Sequence, residues 1–304
     1  MAIQREIWRD AIIEGLFADN SVIARAFDAD EYVNQGKVVH IPNAGAATGI
    51  LKNPSSFPVT AETREDSDVS FVIDTYAVKP VYVRNAEQLE LSYDKLNSVL
   101  GQNKLALQDT VTKELFMSWA PTPSNKGKVI RTTGSAVAAH LSGTTGNRKA
   151  FTRADVRNAM AALNKQGLPK EGRCMAIDSD MYVQLLDSLT EGEARAFHAQ
   201  ADVARGVIGK LYGFDIYERA IVVAYDSGAT TVKDATTTLT AGDCAAALAW
   251  HDSCVCRALG EVTVYSQENA PQFYGDVVSA DVKAGGRPMR ADGKGIIAIV
   301  QSAA

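Results

Sequence analysis

The stretch from Gly36 to Trp119 limits most sharply what this chain can become: a polar, turn-punctuated extended segment runs into one long amphipathic helix, and no catalytic motif interrupts it. The extended part begins with Lys37-Val38-Val39-His40-Ile41-Pro42 and returns through Val69-Ser70-Phe71-Val72-Ile73-Asp74, with Gly45, Gly49, Pro54 and Pro58 between. Two strand-like runs around such turn residues predict a long hairpin. Val69, Phe71 and Ile73 alternate with Ser70 and Asp74, so at most one face can be buried. A two-stranded hairpin alone in water is marginal. It needs cover, from the rest of the chain or from another copy, and its open edges suit pairing between subunits.

Ser92 then reads as a helix N-cap, and Leu96, Val99, Leu100, Leu107, Val111 and Leu115 mark one helical face until Pro121 and Pro123 forbid continuation. A helix of about 27 residues spans ~40 Å at 1.5 Å per residue. Against a usual length of ~11 residues it reads as a spine rather than a routine packing element.

The rest of the chain is compatible with a real core: 304 residues with 46% hydrophobic content allow one large domain or two smaller ones. The longest apolar run, Cys244 to Trp250, falls far short of the ~18 residues that signal a membrane span. Glu6, Arg9 and Asp10 stand where a signal peptide would be apolar, so synthesis inside the cell and no membrane partner are expected. A net charge of −5 argues against a global grip on nucleic acid. One candidate basic patch remains, Lys126, Lys128, Arg131, Arg148, Lys149, Arg153 and Arg157, opposed only by Asp155; a solvated loop is its alternative reading. Cys174, Cys244, Cys254 and Cys256 are too few for a disulfide scaffold.

Along the chain, Ile3, Ile7, Ile12 and Leu16 fall near helical spacing, and Asp19-Asn20-Ser21 precede a shorter predicted helix with Val22, Ile23, Ala26 and Phe27. Pro121 to Ala150 is rich in Gly, Ser, Thr and basic residues and reads as loop with a short helix around Ala136 to Leu141. Thr152 caps a helix through Val156, Met160 and Leu163 that Gly167-Leu168-Pro169 ends. A buried strand Cys174 to Ile177 follows, then a helix capped by Asp178-Ser179-Asp180. Further strands are predicted at Phe214 to Tyr217, Ile221 to Ala224, Ala245 to Trp250, Val262 to Tyr265, Val277 to Val282 and Ile296 to Val300. This is a mixed α+β pattern.

The chemistry-bearing residues are sparse. Gly143 to Ala150 and Gly293-Lys294 both fail the phosphate-loop pattern, and no Gly-x-Ser-x-Gly, Gly-x-Gly-x-x-Gly or His-Glu-x-x-His occurs. His40, His140, His198 and His251 stand singly. The one cluster is His251-Asp252-Ser253-Cys254-Val255-Cys256, where Cys254 and Cys256 would share a strand face beside His251. A zinc site or an activated thiol there is the enzymatic alternative, and buried apolar thiols are the structural one. Trp8, Trp119 and Trp250 lie on or beside apolar faces and are expected in the core. Neither a catalytic residue nor a cofactor is assigned.

The order of elements resembles the HK97-like capsid fold of tailed-bacteriophage major capsid proteins over nearly the whole chain. Local phrases carry the likeness too: Ala77-Val78-Lys79-Pro80-Val81-Tyr82-Val83, Gly172-Arg173-Cys174-Met175-Ala176-Ile177 with Met181-Tyr182, and Gly209-Lys210-Leu211-Tyr212-Gly213-Phe214-Asp215-Ile216-Tyr217. The resemblance implies an N-terminal helical arm over residues 1–35, an extended hairpin loop (E-loop) over 36–85, and a peripheral domain with the spine helix over 86–150. An axial α/β domain over 151–258 and a C-terminal return to the peripheral sheet over 259–304 complete it. It further implies self-assembly as pentamers and hexamers into an icosahedral shell around double-stranded DNA, with a portal. The virion is then the location, and the host cytoplasm the place of assembly. Because the arm follows Met1 almost at once, a separate scaffolding protein is expected. Lys52 and Lys79 lie on the arm, but no pattern marks a cross-linking partner, so noncovalent assembly is expected. Phe57, Phe71, Ile73 and Tyr76 are the expected inter-subunit contacts of the arm, losing exposure on assembly. An encapsulin-type compartment shell shares the fold and is the nearest alternative; a tail or baseplate protein is a more distant one.

Overall fold

The computed structural model of the chain describes residues 21–31, 38–43, 49–50, 52–53, 63–64, 66–84, 95–202, 205–234, 237–260, 262–272 and 274–304. Trp8, Phe57, the Ser92 cap and the first predicted helix lie outside the described residues. In chain order, a 3-10 turn at Ser21–Ala24 leads to β1 (Phe27–Asp28), β2 (Val38–Asn43), β3 (Ser67–Val72), β4 (Asp74–Ala77), β5 (Val81–Arg84) and helix α1 (Lys95–Trp119). Then come β6 (Lys128–Arg131), β7 (Ala136–Ala138), β8 (Asn147–Lys149), α2 (Arg153–Lys165), β9 (Arg173–Asp178), α3 (Ser179–Ser188) and α4 (Glu191–His198). The chain finishes with β10 (Val207–Leu211), β11 (Phe214–Arg219), β12 (Val223–Tyr225), β13 (Val232–Lys233), β14 (Cys244–His251), β15 (Val255–Leu259), β16 (Thr263–Ala270), β17 (Gly275–Pro288) and β18 (Ile296–Val300).

Two main sheets organise these elements. The first has six strands, with β17 as its organiser: β15, β16, β4 and β5 all pair with it antiparallel, and β1 adds to β15. One face of β17, through Val282 and Ala284, packs on Leu107, Val111 and Leu115 of α1 in a single apolar cluster. The second sheet has eight strands centred on β9, β14 and β18, whose residues are buried throughout because the sheet is covered on both faces. One face meets the α1 cluster through Trp250, Leu248 and Ala298; the other meets α2 and α3 through Val156, Leu163, Met181 and Leu185. Such double coverage explains the continuous apolar runs in these strands.

The caps follow the sequence reading. Thr152 and Asp155 form a capping box at the start of α2, with Thr152 N–H and Oγ1 donating to Asp155 at 2.9 and 3.0 Å. Gly167 after the helix has φ +74°, the left-handed turn that lets the chain leave it. Asp178 accepts from the Met181 amide at 2.6 Å and caps α3. Helix α4 was not foreseen, although Thr190 and Glu193 carry the spacing of a capping box and form one.

Five expectations are corrected. Ala136 to Leu141 is not a helix: Ala136–Ala138 pairs with Asn147–Lys149, because Gly143 and Gly146, at φ +85° and +82°, fold the chain back. The predicted helix through Val22 and Phe27 is a single 3-10 turn followed by β1, which pairs in parallel with β15. Strand β18 does not return to the sheet of α1; it pairs with β14 and β6 in the eight-stranded sheet. Residues 86–150 divide likewise, since α1 packs on β17 while β6 joins β18. Finally, Cys254 lies in a 3-10 turn and Cys256 in β15, so the two do not share a strand face.

Candidate functional site

The predicted hairpin forms, with Val39 opposite Phe71, Ile41 opposite Val69, and Val38 opposite Val72. Period-two alternation then sorts its faces. Val39, Val69, Phe71 and the following Ile73 are buried, and Val39, Phe71 and Ile73 cluster with Ala29, Cys256 and Ala258. Val38 and Val72 face out at 45% and 58% exposure, beside an exposed His40–Asp68 contact. The chain itself therefore covers one face of the hairpin base. This corrects the expectation that Phe71 and Ile73 lose solvent on assembly: at 7% and 6% exposure they have little left to lose.

Two contacts hold this base on the six-stranded sheet. Arg287 Nη1 donates to the Ser70 carbonyl at 2.6 Å. At Gly285, a Cβ would stand 2.9 Å from the Val72 carbonyl, so glycine is what lets the hairpin lie close on β17. Tyr76 is half-buried opposite Val282, its hydroxyl pushed up to about 12 by burial and then by the charges of Glu114 and Asp74. Asp74, Tyr76, Glu114 and Ser118 line a small cavity between the hairpin base, α1 and β17. Burial, then Asp234 and Asp74, raise the Glu114 carboxyl above its ordinary range.

The candidate basic patch is not one surface. Arg148 is buried, its guanidinium donating to the carbonyls of Ala241 at 2.7 Å and Asp243 at 3.1 Å, so it fastens a loop. Arg131 donates to Gln301 and Ser227 carbonyls, and Arg153 pairs with Glu193. Lys126, Lys128 and Arg157 are exposed and Lys149 is half-buried. Asp155, expected to oppose the patch, is buried in the α2 cap and accepts from Thr133. Gly293 packs closely on the backbone of Lys126 and Gly127, a proximity no local pattern could reveal.

The cysteine cluster has the electrostatics of a core. All four thiols are buried. Burial pushes Cys256 and Cys174 up to about 11 and raises Cys254, the reverse of what a nucleophile needs. His251 Nδ1 meets Ser253 Oγ at 2.8 Å and the Asp252 carboxylate at 3.1 Å rather than a thiol. Among the described residues, no three His, Cys, Asp or Glu side chains gather as a metal-holding group. Trp119 and Trp250 are fully buried, with ring centroids 5.7 Å apart, and Trp250 Nε1 donates to the Arg25 carbonyl.

No protein-family model and no curated protein matches the sequence. Solved structures do match. The capsid of Ralstonia phage GP4 superimposes with a TM-score of 0.64 at 12% identity, covering 92% of this chain and 87% of that one. The capsid of cyanophage P-SCSP1u gives 0.63 at 18% identity, over 90% and 86%. A virus-like particle from Pyrococcus furiosus gives 0.54 at 12% identity, over 97% and 99%. The chain has the HK97-like capsid fold, a mixed α+β architecture spanning almost its full length.

Proposed function

We propose that this protein is a structural shell subunit, the major capsid protein of a tailed bacteriophage, whose copies close into an icosahedral shell around double-stranded DNA. The observation that carries this reading is the agreement in fold with phage capsid proteins over about nine-tenths of both chains. The hairpin supports it: one face is fixed to its own subunit while Val38 and Val72 remain open for a neighbour. Tyr76, half-buried, remains a proposed contact beside them, and Phe71 and Ile73 act by holding the hairpin base.

In this reading the six-stranded sheet with α1 serves as the peripheral domain and the eight-stranded sheet with α2 to α4 as the axial domain. Partners are further copies in pentamers and hexamers, a separate scaffolding protein and a portal, with DNA held by nonspecific contact. Lys126, Lys128 and Arg157, the exposed members of the basic segment, are the proposed phosphate contacts. Location in the virion, after assembly in the host cytoplasm, follows from the same reading. No helix among the described residues is long and apolar enough to cross a membrane. A non-enzymatic role accords with the raised thiols.

A second reading, an encapsulin-type compartment shell, is favoured by the match to the Pyrococcus virus-like particle over 97% of this chain and 99% of that one. Expression of the full chain, alone and with its genomic neighbours, followed by negative-stain electron microscopy, tests both. Closed polyhedral shells or rings of five and six subunits are expected, and nucleic acid or a cargo enzyme inside separates the two. A monomer or dimer under every condition overturns the proposal.

A further inference from the structure

We propose that His140 and Asp178 form a pH-sensitive latch that fastens the loop between β7 and β8 to the N-terminus of α3. His140 Nε2 lies 2.9 Å from Asp178 Oδ2, and the two side chains are only 13% and 4% exposed. Asp178 uses its other oxygen to accept from the Met181 amide at 2.6 Å, so one carboxylate both caps α3 and holds the loop. His140 Nδ1 is buried without a partner, so no second bond fixes the ring. Only the charged imidazole and one neutral tautomer can donate from Nε2; the other tautomer would set a lone pair against the carboxylate.

The surroundings leave the histidine charge to Asp178. From the junction of β9 with α3, Asp178 and Asp180 face it. From β8, the Arg148 guanidinium is committed to carbonyls of Thr145, Asn147, Ala241 and Asp243. From the loop on the far side, Asp243 pairs with Lys233. That far side is also anchored, by the Thr145 amide donating to the Ala241 carbonyl at 3.2 Å and by the close approach of Gly143 to Leu239. The latch thus joins α3 through the β7–β8 loop to the segment around Leu239–Asp243.

Burial alone would lower the His140 pKa, but the hydrogen bond to Asp178 and the charges of Asp178 and Asp180 outweigh it and raise it above the ordinary histidine range. A histidine raised in the folded state stabilises fully below its unfolded pKa and loses that contribution as pH rises through its folded one. The latch is closed in mild acid and slackens on the alkaline side.

Asp178→Asn is the discriminating variant, because asparagine caps a helix as well as aspartate does but carries no charge. Hydrogen–deuterium exchange of the full chain at about pH 5.5 and about pH 8.5, corrected for intrinsic exchange, brackets the histidine range. Residues 139–146 of the wild type are expected to open at least about threefold more often at the higher pH, with α3 unchanged. Asp178→Asn and, separately, His140→Gln are expected to remove that dependence. A wild-type profile flat with pH, or the same profile in either folded variant, overturns the proposal. The outcome does not depend on whether the chain builds shells.

Discussion

The indole N–H of Trp119, in the last turn of α1, donates to the main-chain carbonyl of Cys256 in β15 at 2.9 Å. This bond links residues 137 positions apart and binds the spine helix to the six-stranded sheet at the strand on which the hairpin base rests. The ring also stacks edge-on with Phe116 at 5.8 Å and lies against Trp250 at 5.7 Å, so the helix end, both sheets and the Arg25 carbonyl meet at one aromatic group. Trp119→Phe keeps most of the packing and loses the donor, leaving a buried carbonyl one partner short. A loss of about 1–3 kcal/mol is expected. Trp119→Ala, which also opens a cavity, is expected to cost about 3–5 kcal/mol. Urea unfolding of the unassembled subunit measures both, and a Trp119→Phe variant as stable as the wild type would mean that the hydrogen bond contributes nothing separable from packing.

The two faces of the hairpin predict opposite phenotypes. Phe71→Ser removes a buried ring from the cluster with Val39, Cys256 and Ala258, so it is expected to destabilise the subunit by about 3–5 kcal/mol. Val38→Ser with Val72→Ser changes only the exposed face and is expected to leave subunit stability within about 0.5 kcal/mol while preventing shell formation. Sedimentation for assembly and urea melts for stability separate the two. Normal shells from the double variant would mean that this face has no neighbour.

How far the fold could be read in advance depended on the range of the interactions. The hairpin, α1, both early caps and β18 rest on local alternation, helical spacing or turn residues, and each formed where expected. The segments misread are those whose partners are remote. Val22 and Phe27 look helical in isolation, yet Phe27 pairs with Cys256 across most of the chain. Ala136 to Ala138 favours helix by its alanines, yet Gly143 and Gly146 and the strand at Asn147–Lys149 decide its state. Arg148 appeared as one more surface cation because nothing nearby in sequence announces the carbonyls of Ala241 and Asp243. The direction of a side chain in a loop is a tertiary fact, and that is why the basic segment dissolved into separate roles.

Glu114, Asp74 and Asp234 place like charges around the junction of α1 with the hairpin base. A carboxyl whose folded pKa is raised opposes folding once ionised, so this junction gains stability as pH falls toward the range of the raised group. Because Glu114 is largely exposed, solvent screens the effect. Glu114→Gln is therefore expected to stabilise the subunit at neutral pH by no more than about 0.5 kcal/mol and to flatten the acid limb of the stability profile. Thermal melts from about pH 4 to about pH 8, spanning the carboxylate range, provide the check. Destabilisation at neutral pH would show that the Glu114 charge has a favourable partner.

The buried thiols give the sharpest contrast with an enzyme. Burial pushes Cys174 and Cys256 up to about 11, and at Cys174 it outweighs a hydrogen bond from Arg25 Nε at 3.4 Å. With so high a pKa, about one thiol in ten thousand is ionised near neutrality, and the thiolate is the reactive form. Steric protection acts in the same direction, since every cysteine in the chain is buried. Reaction with a thiol-specific disulfide reagent at neutral pH is expected to stall well short of the four groups that titrate once the chain is denatured. The slow remainder is expected to follow unfolding, accelerating with urea in step with loss of structure. Fast, stoichiometric modification of Cys254 or Cys256 in the native subunit would contradict this electrostatic picture and return thiol chemistry beside His251 to consideration.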